Sequence, residues 1–361
     1  PIDEIAWCDA SERRAAAAAQ SALPSESPDP AVPPTVAVLG PGLADLDWCN
    51  ARLSYRYDGQ DAQTATLDDL GCVVLLGRVT LNSGLLDALC KRELTVMLAD
   101  ESGRVRGMIG EPDGDDAVAL GAQVRAADNP ARRLGIARLL VAAKLHNYAA
   151  LARATARHAD DADLASALEA AVAGAGVAES LESLRGVEGA AAARWYNRLD
   201  PRLGPGFRFD RRVAPDAEDP VNVLLNIGYS ALYRWMVLAA RAAGLSPVLG
   251  MLHTSEGRYA ALAAGLQEPF RHVIDRVVIR ATFEMKPAQF RREPAGPFAL
   301  RIDHQAARHF QRLLYESFAV AVSSRVQGEP QSYRDQFLRQ ARSLQRHLID
   351  PAEAFVPFEH P

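Results

Sequence analysis

Three residues far apart in the chain carry side chains suited to one divalent cation. Glu188 lies between Gly186 and Gly189 in RGVEGAAAARWY, His253 ends AGLSPVLGMLH, and Glu268 stands directly before Pro269. Two carboxylates and an imidazole favour Mg2+ or Mn2+ over a thiolate-loving metal. A cation so held neutralises the charge that builds on a phosphodiester during displacement. Glycine inside a helix costs about 1 kcal/mol against alanine. The pair beside Glu188 therefore suggests close approach of a ligand or another backbone; a helix start or kink with an exposed glutamate is the plainer alternative. Local sequence does not join the three. A loop histidine is more often a hydrogen-bonded structural residue, and a single glutamate is more often solvated.

The elements that must position these groups are mostly helical. Asp219 is a good N-cap and Pro220 suits the first helical position. Gly244 suits a left-handed C-cap, with Pro247 just beyond. One long helix is predicted between them. Asn222, Asn226, Tyr229 and Tyr233 share one of its faces. Asparagine competes for its own backbone inside a helix, so that face implies a polar task. Arg258–Phe283 also steps helically, and Pro269 either begins a second helix or kinks one. Residues 160–199 read as helix, 303–349 as a polar, arginine-rich helical pair, and Phe355–Phe358 as an anchored extended tail.

Earlier residues read differently. Leu53, Tyr55 and Tyr57 alternate with Ser54 and Arg56, the mark of a half-buried strand. Ser83–Arg92 has helical spacing, and Leu94–Ala99 with Arg104–Ile109 reads as a hairpin. From Asn129 onward strands nearly vanish. Strands first and helices afterwards predict an α+β protein. The division is a linker or tail over 1–35, a small, mostly antiparallel β domain over 36–112, and a larger all-α catalytic domain over 113–361. The stretch PSESPDPAVPP is extended and semi-rigid. It reads equally as a tie to an upstream fused domain or as an N-terminal tail, and Pro1 in place of Met fits a processed product or a piece of something longer.

A net charge of −5 over 361 residues announces no nucleic acid, but local patches bind DNA while the sum stays acidic. One such patch is the helix Arg132–Ala156, whose exposed side holds Arg132, Arg133, Arg138, Lys144, Arg153 and Arg157. Most basic faces are simply solvated, yet this excess of cations suits phosphates. Arg271 and Arg276 belong to a second basic concentration. Cys8, Cys49, Cys72 and Cys90 include no Cys-x-x-Cys pair, which removes the usual zinc and redox readings and leaves reduced, buried thiols. No apolar run of roughly 18 residues and no secretory start are read, so no membrane is expected.

Several stretches, in constant order from about residue 52 onward, resemble the CRISPR-associated spacer-integrase (adaptation) family. RGVEGAAAARWY resembles LRGxEGxxARxYF, and DPVNVLLNIGYSALYR resembles DPxNxxLNxGYxxL. AGLSPVLGMLH resembles AGLDPxxGxxH, and LQEPFRHVIDRVV resembles LxEPFRPxxDRxV. LLGRVTLNSGLLDALCKRELTVMLADESGRVRG and RLGIARLLVAAKLHN are similar to the end of its β domain and its first long helix. The resemblance implies a metal-dependent DNA endonuclease and integrase. It would insert captured DNA fragments as new spacers into a CRISPR array by transesterification at the repeat. It makes Glu188, His253 and Glu268 the catalytic metal ligands for Mg2+ or Mn2+, with Tyr196, Arg212 and Asn222 in support. It also implies double-stranded DNA along Arg132, Arg138, Lys144, Arg271 and Arg276, a homodimer through the β domain, a small companion adaptation subunit, and the cytoplasm of a prokaryote. Many relatives carry aspartate three positions before the last ligand, where this chain has Gly265. That departure keeps open a catalytically weakened DNA-binding scaffold. A helical hydrolase of a small phosphoester is a third reading, favoured by an enclosed pocket and opposed by an open basic groove.

Overall fold

The computed structural model describes residues 35–361 apart from 40–42, 50–51, 58–60, 66–69, 77–78, 92–94, 100–104, 110–115, 157–159, 215–216, 255–258, 293–299 and 326. The expected N-terminal linker lies outside the described residues, as do the side chains of the four cysteines.

Period-2 alternation builds the first part of the chain. β1 (Thr35–Leu39), β5 (Leu70–Leu76), β6 (Thr95–Ala99) and β7 (Val105–Ile109) form one sheet. β2 (Leu43–Cys49), β3 (Arg52–Tyr57) and β4 (Gln63–Ala65) form another, antiparallel throughout. Leu53 and Tyr55 point inward from β3, as the alternation predicts. The mostly antiparallel expectation needs correction at the centre of the larger sheet, where β5 runs parallel to both β1 and β6. Parallel neighbours need a crossover, and α1 (Ser83–Cys90), capped by Asn82, lies between β5 and β6. Successive strand residues face opposite ways. Val96 therefore closes the core of this region, while Met97 joins the core of the helical region.

The helical region contains α2 (Asp116–Ala127), α3 (Pro130–Ala154), α4 (Asp160–Val177), α5 (Leu181–Tyr196), α6 (Pro220–Ala242), α7 (Ala261–Leu266), α8 (Arg271–Glu284), α9 (His304–Ala319) and α10 (Tyr333–Ile349). It is not all-α. The short hairpins β8 (Phe290–Arg292) with β9 (Leu300–Ile302), and β10 (Ala321–Ser324) with β11 (Gln327–Ser332), interrupt it. Three-residue strands are too short to show a period, and GEPQS has little strand propensity, so the sequence pattern hides both.

Local chemistry sets the helix ends. Asp219 accepts from the Asn222 amide at 2.9 Å, and Gly244 takes a φ of 65° beyond α6. Asn129 caps α3 and Ser180 caps α5. α6 has the length and apolar character of a membrane span, and most of it is buried, as befits a core helix. Gly228 on α6 lets α8 pack close, since a Cβ there would lie 2.4 Å from Ile274 Cγ2. Pro269 ends one helix and starts another: α7 closes at Leu266, a single 3-10 turn carries Glu268–Phe270, and α8 follows.

Candidate active site

Glu188 from α5, Glu268 from the 3-10 turn and Lys144 from α3 meet inside the helical region. Lys144 Nζ lies 2.5 Å from Glu188 Oε1 and 2.6 Å from Glu268 Oε2. His253 Nε2 reaches the other oxygen of Glu268 at 3.6 Å, and Arg271 Nε reaches it at 3.2 Å. The Glu268 side chain is 1% exposed and Lys144 5%, while Glu188 at 15% and His253 at 28% face outward. The cluster is thus closed at Glu268 and open at His253.

The His253 loop is held by its backbone. Arg133 Nε donates to Met251 O at 2.8 Å, and Arg185 donates to Leu252 O at 3.0 Å. Gly250 is required there, because a Cβ would sit 2.5 Å from His253 O. Burial by itself raises a carboxyl pKa, but Arg271, Lys144 and His253 together hold Glu268 far below the usual carboxylate range. Burial likewise acts to lower the Lys144 ammonium, and Glu268 and Glu188 overcome it and raise it.

The polar face of α6 forms an adjoining wall. Arg212 donates to Asn222 Oδ1 at 2.9 Å and Asn226 Oδ1 at 2.6 Å, and its guanidinium lies 5.4 Å from the Tyr229 ring centroid. Arg271 lies 4.9 Å from the same ring centroid. Tyr196 and Tyr229 hydroxyls are 2.8 Å apart, and Tyr229 donates to Asp275. Trp195 Nε1 donates to Asp275 Oδ2 at 2.6 Å. Burial pushes the Asp275 carboxyl up and the Tyr148, Tyr196 and Tyr229 phenols up with it, so those phenols stay donors. Tyr196, Arg212 and Asn222 are therefore joined to the carboxylates through Tyr229 and Arg271, as support rather than as direct neighbours.

Sequence reasoning missed the roles of Lys144, Tyr148, Trp195 and Asp275. Its only usable signal was the i, i+4 spacing of Lys144 and Tyr148, which puts both on one face of α3. Five residues assigned to DNA phosphates turn out to have partners within the protein. Lys144 is buried between carboxylates, and Arg271 packs between Glu268 and Tyr229. Arg132 donates to His347 O and Leu348 O, at the end of α10, and Arg138 to Ala178 O beyond α4. Arg276 lies 6.0 Å from the Tyr333 ring centroid. A helix's own pattern cannot show which neighbour's carboxyl end docks on its polar side.

Around Glu188 the surface is open. A Cβ on Gly186 or Gly189 would meet nothing within 4 Å, so among the described residues no other element packs there. At Gly265 a Cβ would make only ordinary contacts, 3.6 Å from Leu140 Cδ1 and 3.7 Å from Leu252 Cβ.

The donor set fits a divalent cation. The Lys144 ammonium lies where both carboxylates reach one positive centre, and Glu268 Oε2 has no aligned hydrogen-bond donor despite its burial. Among the described residues no three His, Cys, Asp or Glu side chains close at ligand spacing, because that ammonium stands between Glu188 and Glu268.

Comparison with known proteins identifies the family and the fold. The family model for CRISPR associated protein Cas1 matches residues 44–316. The CRISPR-associated endonuclease Cas1 of Mycobacterium tuberculosis (strain CDC 1551 / Oshkosh) is 28% identical over 276 residues, covering 75% of this chain and 80% of its own. A CRISPR-associated exonuclease Cas4/endonuclease Cas1 fusion of Rhodospirillum rubrum is 33% identical over 282 residues; the match spans 75% of this chain and 47% of the fusion. In fold, the chain is similar to one from a partial Cas6-RT-Cas1–Cas2 complex, with TM-score 0.77, 23% identity, and coverage of 90% of this chain and 98% of that one. A casposase bound to integration product gives TM-score 0.69 at 21% identity, covering 89% and 97%.

Proposed function

The chain belongs to the Cas1 family of CRISPR-associated proteins, and on that premise we propose that it is a metal-dependent DNA endonuclease and integrase that inserts captured fragments at a CRISPR repeat. The observation that carries this reading is the meeting of Glu188 and Glu268, from separate elements, on the one Lys144 nitrogen, with His253 beside them at the open edge. Glu188, His253 and Glu268 would hold Mg2+ or Mn2+, which supplies charge neutralisation at a phosphodiester under attack. In the transfer, the 3′-hydroxyl of the captured fragment would lose its proton and form the new P–O bond, and the 3′-oxygen already on that phosphorus, from the flanking strand, would leave and take up a proton.

This chain's residues prepare that step. Arg271, fixed between Glu268 and Tyr229, keeps the carboxylate ionised and aimed. Tyr229 gives its one hydroxyl proton to Asp275, so Tyr196 donates to Tyr229 and steadies the polar wall beside the site. Gly186 and Gly189 leave room for a nucleic-acid backbone beside Glu188. Exposed Arg208 and Arg211 flank the segment of Phe209, whose ring lies 5.9 Å from that of Tyr196, and would meet backbone phosphates without reading sequence. The chain would act as a homodimer with a small companion adaptation subunit, in a prokaryotic cytoplasm. The Cas4/Cas1 fusions among its relatives make an upstream partner domain part of the proposal.

The test is a strand-transfer assay with Mn2+. Glu188→Ala is expected to abolish joining while duplex affinity stays within about twofold; joining at the wild-type rate removes the mechanism. Joining by the wild-type chain, lost in that variant, also separates an enzyme from a weakened scaffold, which would bind DNA without joining it.

A further inference from the structure

Pro269 breaks the helical run and takes its neighbours' carbonyls out of the regular ladder. The Phe270 amide bonds back to Gln267 O in the 3-10 turn. Side chains from other elements then hold the carbonyls on either side of Glu268. Gln340 Nε2, on α10, donates to Leu266 O at 2.8 Å. Asn147 Nδ2, on α3, donates to Pro269 O at 2.7 Å, and His272 Nδ1 meets the same oxygen at 2.8 Å.

Each of these three side chains is itself held by the tail. Gln340 Oε1 accepts from the Phe358 amide at 3.0 Å. Asn147 donates to Phe358 O at 2.9 Å and accepts from the His360 amide at 2.8 Å. His272 Nε2 lies 2.9 Å from His360 Nε2. With His272 donating from Nδ1, its Nε2 is the acceptor and His360 the donor. The Phe358 ring stacks on Phe270, 5.1 Å away and tilted 21°, and lies nearly parallel to His272. The backbone of Glu268 is thus clamped from both sides by side chains that the tail keeps in place.

Such a clamp has a purpose at this position. Glu268 lies between two cations, Lys144 and Arg271, with an oxygen lacking an aligned donor. A displacement of about 1 Å at a reacting centre can cost on the order of 100-fold in rate.

We propose that the tail segment Phe358–His360 is a positioning element for Glu268, acting through Gln340, Asn147 and His272 to fix the turn that presents this carboxylate to a divalent cation. The inference rests on the metal-binding reading above. Its test is Mn2+ binding to the full chain by electron paramagnetic resonance, with duplex DNA affinity and thermal unfolding measured on the same preparations. His360→Ala removes the partner of His272 at the far end of the network, and Asn147→Ala removes the bridge from the body side. Each is expected to weaken Mn2+ binding about 10-fold while duplex affinity stays within about twofold. Strand transfer should lose kcat rather than raise KM for DNA.

Unchanged Mn2+ affinity in His360→Ala, alongside its loss in Glu268→Ala, overturns the inference and leaves the metal site standing. Wild-type Mn2+ binding in Glu268→Ala overturns the metal-site reading itself, and the inference with it. A fall in Mn2+ affinity matched by equal losses of DNA affinity and helical content is general loosening and also overturns it. His360→Ala decides alone if Asn147→Ala does not fold.

Discussion

The two sides of the turn Glu268–His272 are both buried and polar, yet they are built on opposite principles. On one side Glu188, Glu268, Lys144 and Arg271 bring four formal charges together. On the other, His272, His360, Tyr333 and Asn147 form a neutral network around the stacked ring of Phe358. Burying ions carries a desolvation penalty of several kcal/mol each, whereas neutral hydrogen-bonded groups are buried at little cost. A fold that needed only stability would use the second kind on both sides. The charged side is therefore where function is to be sought, and the neutral side is what holds it still.

The strongest way to break the contrast is Glu268→Ala. It leaves Lys144 and Arg271 without their shared buried carboxylate, so destabilisation of about 3–5 kcal/mol is expected, together with loss of strand transfer. Chemical denaturation and the Mn2+ joining assay check the two parts separately.

Acid should attack the neutral side instead. Burial pushes the His272 imidazole well below its ordinary range and His360 down to about 4 from 6.5. As pH falls through 6.5 the unfolded chain takes up protons that the folded chain refuses. Stability should be flat above that pH and decline between 6.5 and 4, by about 3 kcal/mol for His360 alone. Urea denaturation across this window measures the slope, and His360→Gln should flatten it; an unchanged slope in that variant refutes the assignment.

Lys144→Met asks whether the ammonium occupies ground a metal ion would share. Removing it should tighten Mn2+ binding, so that saturating Mn2+ stabilises the variant by about 1.4 kcal/mol more than the wild type, a tenfold difference in affinity. Equal stabilisation of both would show that Lys144 and the ion do not compete.

The smallest effects belong to Gly186→Ala and Gly189→Ala. Each replaces a helix-interior glycine where a Cβ meets open space, so each should stabilise the fold by up to about 1 kcal/mol. If nucleic acid approaches this face, both should nonetheless slow strand transfer. More stable variants with full activity would make these glycines incidental.

Much of this architecture could be read before any coordinates. The caps of α6 lie within a few residues of what they cap, so Asp219 and Gly244 could be identified from sequence, whereas the Asn129 cap of α3 was not. The shared face of Asn222, Asn226 and Tyr229 follows from helical geometry, and Arg212 and Arg271 use it. The types of Glu188, His253 and Glu268 suggested a cation. The parallel centre of the first sheet and the two late hairpins could not be read, because strand pairing is set by distant partners. Lys144, Arg132 and Arg138 show the same limit for side chains. Expected on an exposed face, Lys144 is buried between two carboxylates, and Arg132 and Arg138 donate to carbonyls at the ends of other helices.

Sequence by itself determined where α6 begins and ends and which residue types could hold a divalent ion, since both depend on neighbours within a turn or on side-chain chemistry. Tertiary structure alone decided that two glutamates share one ammonium, that the presumed DNA-facing cations have partners within the protein, and that the tail braces the Glu268 turn. Those pairings join residues remote in the chain, and only packing of the whole body fixes which of many equally charged candidates meet.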